Sequence, residues 1–159
     1  MKGKTVKETS VTISNVVTAQ DANMAGNVHG GVIMKLIDTT AAVVAARHSN
    51  CNVVTASVDR IDFHSPGFIG EILTLKASLN LVGKTSMEIG VRVETENILT
   101  TEKRHIASAY LTFVALDERR RPKEVPALIL ENEDEIRRNQ EAITRRKVRL
   151  AEKKAETGT

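Results

Sequence analysis

The chain has 159 residues, 41% hydrophobic and 27% charged, with 9 glycines and 3 prolines. That suits one globular domain able to bury roughly 70% of its unfolded surface, and it excludes collagen-like, disordered and disulfide-built classes. The mild net charge of +3 fits an anionic ligand or an ordinary solvated surface, and aromatics at 3% argue against a stacking platform for single-stranded nucleic acid. A lone cysteine, Cys51, forms no internal disulfide and points to a reducing compartment. No apolar segment follows the basic start as a signal peptide requires, and no apolar run approaches the ~18 residues of a membrane span. The expectation is a soluble cytoplasmic protein with no membrane or nucleic-acid partner.

In chain order, residues 5–17 carry Val6, Val11, Ile13, Val16 and Val17 and predict a β-strand. Residues 18–31 have turn composition and no period. Residues 31–48 predict a helix. Val32, Ile33, Leu36, Ile37, Val43 and Val44 leave it almost no polar face, so burial is expected all round. Four strands follow. Residues 53–63 alternate, but the phase shifts near Asp59, which predicts a β-bulge. Residues 72–82 put Leu73, Leu75, Ala77, Leu79 and Leu81 on one face. Residues 86–97 put Met87, Ile89, Val91 and Val93 inward and Glu88, Arg92 and Glu94 outward. Residues 105–116 are apolar on more of both faces. The order predicts an α+β architecture, an antiparallel sheet curled around one helix.

Residues 131–156 differ in kind. Acids at 131–135 and bases at 145–154 complement a helix dipole, and the apolar stripe is only Ile136, Ile143 and Leu150. An exposed charged helix is expected, frayed over 156–159. The division read from the sequence is a domain at 1–125 and a charged helical extension at 126–159.

Four scattered histidines, without an H-E-x-x-H or C-x-x-C motif, give no support for a metal site. Gly83-Lys84-Thr85-Ser86 imitates the end of a phosphate-binding loop. However, Ser78 stands where the first glycine belongs, and Ser86 opens a strand where that motif opens a helix. The segment reads equally as a plain turn or as a hairpin whose lysine and hydroxyls meet a phosphate. Asp38 stands in a helix otherwise fit for burial, where an isolated carboxylate is costly. It reads either as a helix-edge residue bonded to backbone or water, or as a base or nucleophile. His29-Gly30-Gly31 leaves unpaired N–H groups at a helix start, able to stabilise a developing oxyanion. Seven helical residues rise about 10 Å, so Asp38 cannot reach a carbonyl held by Gly31 of its own chain. If both serve one reaction, the site is shared by two subunits.

Asp21-Ala-Asn-Met-Ala-Gly-Asn-Val-His-Gly-Gly31, Met34-Lys-Leu-Ile-Asp38, Ala45-Ala-Arg-His48 and Val53-Val-Thr-Ala-Ser-Val-Asp59 resemble the hotdog-fold acyl-CoA thioesterases. Phe63-His-Ser-Pro-Gly67, Lys84-Thr-Ser-Met-Glu-Ile89, Glu96-Asn-Ile-Leu-Thr100 and Thr112-Phe-Val-Ala-Leu116 continue the likeness, which is greatest to cytosolic brain-type acyl-CoA hydrolases and their single-domain bacterial relatives. The resemblance implies a long helix wrapped by a curved antiparallel sheet, homodimers with continuous sheets commonly grouped as three dimers, and hydrolysis of acyl-CoA to free acid and coenzyme A. It implies that Asp38 and Asn23 of facing protomers form the site, with the Gly30 and Gly31 amides as oxyanion donors and an acyl tunnel between sheet and helix. Because this chain carries both residues, both sites of a homodimer are expected to be competent. Coenzyme A enters only as part of the substrate, with no cofactor, and its anionic end is expected to meet Lys84, Thr85 and Ser86, with Arg60 as a further candidate. Two alternatives on the same fold are an acyl-thioester dehydratase or hydratase using His29 and a non-catalytic acyl-CoA-binding regulator. The resemblance leaves the charged tail unexplained.

Overall fold

The structure, a computed structural model, describes residues 1–158. A five-stranded antiparallel sheet is built from β2 (Val11–Val16), β3 (Asn52–Phe63), β4 (Ile72–Val82), β5 (Ser86–Glu96) and β6 (Lys103–Leu116), in the order β2-β4-β5-β6-β3. A 20-residue helix, α2 (Gly30–Ser49), lies against its inner face. This is the hotdog arrangement. Leu73, Leu75, Ala77 and Leu79 of β4 and Met87, Ile89, Val91 and Val93 of β5 all face the core, as the alternation predicts.

The segment expected as one strand over 5–17 is broken. β1 (Lys4–Thr5) pairs in parallel with β7 (Leu128–Ile129), and α1 (Val6–Thr9) is a single helical turn before β2. A capping box causes the turn: Thr5 Oγ1 accepts from the Glu8 amide at 3.3 Å and a Glu8 carboxylate oxygen accepts from the Thr5 amide at 2.6 Å. Val6 and Thr9 can then both point into the core, which an extended chain would not allow.

Helix α2 also differs from expectation. Ile33, Ile37, Thr40, Ala41, Val44, Ala45 and His48 are buried along one face, but Met34 is 46% exposed and Val32, Leu36 and Val43 are only partly covered. Within one protomer Val32 and Leu36 pack at the edge of the core between sheet and helix, while Met34 is left open.

In β3 the pairing with β6 skips a residue between Val58 and Arg60, the bulge expected at Asp59, and a second between Thr55 and Ser57. β3 is an edge strand of 12 residues, with Val54 and Val58 each 46% exposed.

The C-terminal helix, α3 (Glu133–Thr157), docks on the outer face of the sheet. The expected apolar stripe plays little part: Ile136 and Leu150 are about half exposed, and only Ala142 is fully buried. Polar contacts hold the helix instead. Arg145 Nη2 donates to Glu88 at 2.6 Å, Arg149 Nη1 donates to Asp59 at 2.9 Å, and Asn139 Nδ2 donates to the Asn80 carbonyl at 2.9 Å. Glu88, expected outward in solvent, does face outward but is buried beneath Arg145. Gly158 caps the helix in the left-handed region, and residue 159 of the expected frayed end lies outside the described residues. Among the described residues no helix is long and apolar enough to cross a membrane.

His48, fully buried near the end of α2, bonds the Pro126 carbonyl through Nε2 at 2.7 Å while its Nδ1 has no partner among the described residues. Desolvation holds its pKa below the ordinary value of 6.5. The unfolded chain therefore binds a proton first as pH falls, and stability drops once pH passes below about 6.5, by up to about 1.4 kcal/mol per pH unit until the folded state also protonates. Thermal melts from pH 8 to 5 should show this slope, and His48→Gln should flatten it.

Candidate active site

Asp38 sits midway along α2 and is partly exposed, beside the edge strand β3. Its Oδ1 accepts a hydrogen bond of 2.6 Å from Thr55 Oγ1 on β3, the only partner of this carboxylate among the described residues. A hydroxyl donating to an ionised carboxylate at this length is a strong, charge-assisted bond. It fixes the carboxylate rotamer, occupies one oxygen and leaves Oδ2 for a proton or an electrophile. Thr55 was not among the residues singled out from the sequence.

Asn23 organises the loop before α2. Its Oδ1 accepts from the amides of Ala25 at 3.0 Å and Asn27 at 3.2 Å, an Asx-type turn. Gly26, at φ +83°, supplies the left-handed residue that closes the turn, its amide donating to the Asn23 carbonyl at 3.0 Å. Asp21 anchors the loop at both ends. Its carboxylate accepts from the Thr18 amide and hydroxyl, which hold its pKa low, and its carbonyl accepts from the His29 amide at 2.8 Å. The carbonyl oxygen of the Asn23 side chain is thus committed to the loop, while its amide hydrogens remain available as donors.

That loop delivers the chain to the start of α2. The first helical bonds come from Val32 and Ile33 to the His29 carbonyl, so the amides of Gly30 and Gly31 have no backbone acceptor among the described residues. Both glycines are exposed, and a Cβ at Gly31 would meet nothing within 4 Å. Glycine is therefore not forced here by contacts within the protomer; it keeps the two N–H groups open to an approaching ligand.

Asn23, Gly30 and Gly31 thus share one end of α2, and Asp38 with Thr55 lies about 10 Å further along the helix. One protomer does not join the two groups. Lys84, Thr85 and Ser86 form the β4–β5 turn, closed by the Gly83 amide bonding the Ser86 carbonyl at 2.8 Å. Val125 and Ala115 amides bond the carbonyls of Lys84 and Thr85, and the lysine is exposed. Ser86 pairs with Val114, which pairs with Val54, so this turn lies at the sheet end near the C-terminus of α2, away from Gly30. Arg60 is exposed and ion-paired to Asp62 at 2.6 Å. Among the described residues no three metal-capable side chains cluster.

An antiparallel sheet cradling a long helix, with a threonine-bonded aspartate midway along that helix and a glycine amide pair at its start, is a hotdog fold with one candidate carboxylate. The model of the thioesterase superfamily matches residues 25–102. The cytosolic acyl coenzyme A thioester hydrolase of Mus musculus is 40% identical over 139 residues, 86% of this chain, but this chain spans only 36% of its length. Protein VdlD of Helicobacter pylori is 38% identical, with 91% of this chain and 83% of that protein covered. An acyl-CoA hydrolase of Staphylococcus aureus superposes with a TM-score of 0.92 at 32% identity, covering 99% of this chain and 97% of that one. It has been solved with butyryl coenzyme A and coenzyme A. It has also been solved as alanine mutants of an asparagine, an aspartate and a threonine spaced fifteen and seventeen residues apart. Asn23, Asp38 and Thr55 have the same spacing. A hexameric acyl-CoA thioesterase superposes with a TM-score of 0.92 at 36% identity, covering 96% of this chain and 97% of that one. The chain belongs to the thioesterase superfamily, and acyl-CoA thioester hydrolases are among its relatives.

Proposed function

We propose that the chain hydrolyses acyl-CoA thioesters to a free acid and coenzyme A, at sites completed between two copies of itself. The observation that carries this reading is the Asp38 carboxylate, held by Thr55 of the edge strand β3 and left partly exposed. The spacing of the residues altered in the Staphylococcus aureus enzyme supports the same trio here. A second copy paired along the β3 edge would cover Val54, Val58 and Met34 and extend the sheet. It would also bring the partner's glycine amides toward Asp38. Three such dimers would make a hexamer like that of the hexameric relative.

In this mechanism the Gly30 and Gly31 amides of one protomer polarise the thioester carbonyl, and Asn23 of that protomer orients the carbonyl or the attacking water. Asp38 of the other protomer takes a proton from water as it attacks the carbonyl carbon. The C–S bond breaks, the electron pair leaves with sulfur, and the thiolate collects a proton as coenzyme A. Alternatively Asp38 attacks directly, expels the thiolate, and the resulting anhydride is hydrolysed. Hydroxylamine added during turnover separates the routes, because it traps an anhydride at Asp38 as a hydroxamate and finds no such species on the water route. Lys84, beside the Thr85 and Ser86 hydroxyls, is the assigned contact for the anionic nucleotide end. Arg60, neutralised by Asp62, is the weaker one. Coenzyme A enters and leaves as substrate and product, no cofactor is invoked, and likeness to a cytosolic relative supports a place in the cytoplasm.

Thiol release from a panel of acyl-CoA chain lengths tests the reading, which absence of turnover across the panel would overturn. Thr55→Val keeps the shape of the strand residue but removes the bond to Asp38. Its kcat should fall by about tenfold to a hundredfold, with KM within about twofold, in steady-state assays.

A further inference from the structure

The charged C-terminal helix has no role in the mechanism so far, yet it reaches the strand that carries Thr55. Asp59, the residue extruded by the β3 bulge between Val58 and Arg60, is the junction. Its Oδ1 accepts from Ser57 Oγ at 3.0 Å, and its Oδ2 accepts from Thr112 Oγ1 at 3.3 Å and from Arg149 Nη1 at 2.9 Å. Arg149 Nη1 also donates to Thr112 Oγ1 at 2.9 Å. One arginine of α3 thereby closes a polar cluster that joins both bulges of β3 to its neighbour β6. The Asp59 side chain is only 11% exposed, so this cation is the main compensation for a carboxylate taken largely out of water.

The cluster sits where β3 needs it. Two extruded residues within five positions, Ala56 and Asp59, break the regular ladder, and an edge strand has no second neighbour in the protomer to restore it. Thr55 is the last regularly paired residue before the first bulge, facing Phe113. A shift of β3 along β6 would move the Thr55 hydroxyl off the Asp38 carboxylate, and a bond of 2.6 Å tolerates little displacement.

We propose that Arg149 is a positioning residue for the active site. Through Asp59 it fixes the bulged segment of β3, and so the hydroxyl of Thr55 against Asp38. Helix α3 on the outer face of the sheet thus sets the geometry of a carboxylate on the inner face. This role rests on the proposed reading of Asp38 and Thr55.

The test is a double-mutant cycle on the full chain, reading thiol release from acyl-CoA. Arg149→Met should lower kcat about tenfold with KM within twofold. Arg149→Lys, which keeps a cation beside Asp59, should recover most of that loss. In a Thr55→Val background Arg149→Met should change kcat less than twofold, because the bond it supports is already gone. Thr112→Val removes one strut of the cluster and nearly preserves volume, so it serves if Arg149→Met fails to fold. It should show the same loss of kcat and the same dependence on Thr55. Equal losses with and without the Thr55 hydroxyl overturn the proposal, as does a loss carried by KM alone. A wild-type chain that releases no thiol overturns the reading of the site itself and this role with it.

Discussion

Asp38→Asn should lower kcat for thiol release by about a thousandfold or more, while coenzyme A still binds in calorimetry. Asparagine retains an oxygen to accept from Thr55 and nearly the same volume, so the strand and helix stay in place. What disappears is the negative charge and the basicity of the second oxygen. Both routes from the thioester need that oxygen, one to take a proton from water and the other to form a bond to carbon. A thousandfold loss corresponds to about 4 kcal/mol of transition-state stabilisation, within the range general-base removal commonly costs. The effect should fall on kcat, since Asp38 meets the reacting carbon and the nucleotide end of the substrate is held elsewhere. Turnover within a few-fold of the wild type would remove Asp38 from the chemistry. Loss of coenzyme A binding would instead place its role in ground-state recognition.

The residues that sequence reasoning found and missed divide along physical lines. β4 and β5 are legible because one-sided burial imposes strict alternation, and the Asp59 bulge is legible because an extra residue reverses the phase. Asp38 stands out as a charge inside an apolar helix. Thr55 does not, because a threonine in a β-branched strand is ordinary until the helix is laid against it. The Val53–Asp59 likeness contained it, but only the fold shows what its hydroxyl touches. The exposed charged helix α3 is legible, but its docking is not, for a related reason. It docks through Arg145 on Glu88 and Arg149 on Asp59, and hydrophobic periodicity assigns all four residues to solvent. The turn at Val6–Thr9 was hidden because Thr5 and Glu8 cap a helix with residues that also suit an exposed strand end.

Chains carrying Asp38→Ala and chains carrying Asn23→Ala, each nearly inactive alone, should recover about a quarter of wild-type activity when co-expressed in equal amounts. The figure follows from the symmetry of the proposed dimer. Each site takes Asp38 from one protomer and Asn23 from its partner. In a mixed dimer one site draws both altered residues and the other draws both intact ones. Half of the dimers are mixed if pairing is random, and half of the sites in those dimers are whole. Sites built within single protomers would give no recovery, because every chain then lacks one residue of its own site. The geometry within one protomer favours sharing, since about 10 Å of rigid helix separates Asp38 from the amides of Gly31. Two affinity tags, one on each variant, let mixed dimers be isolated, and their activity should reach about half that of the wild type. Inactive mixed dimers would place Asn23 and Asp38 in the site of one and the same protomer and overturn the sharing.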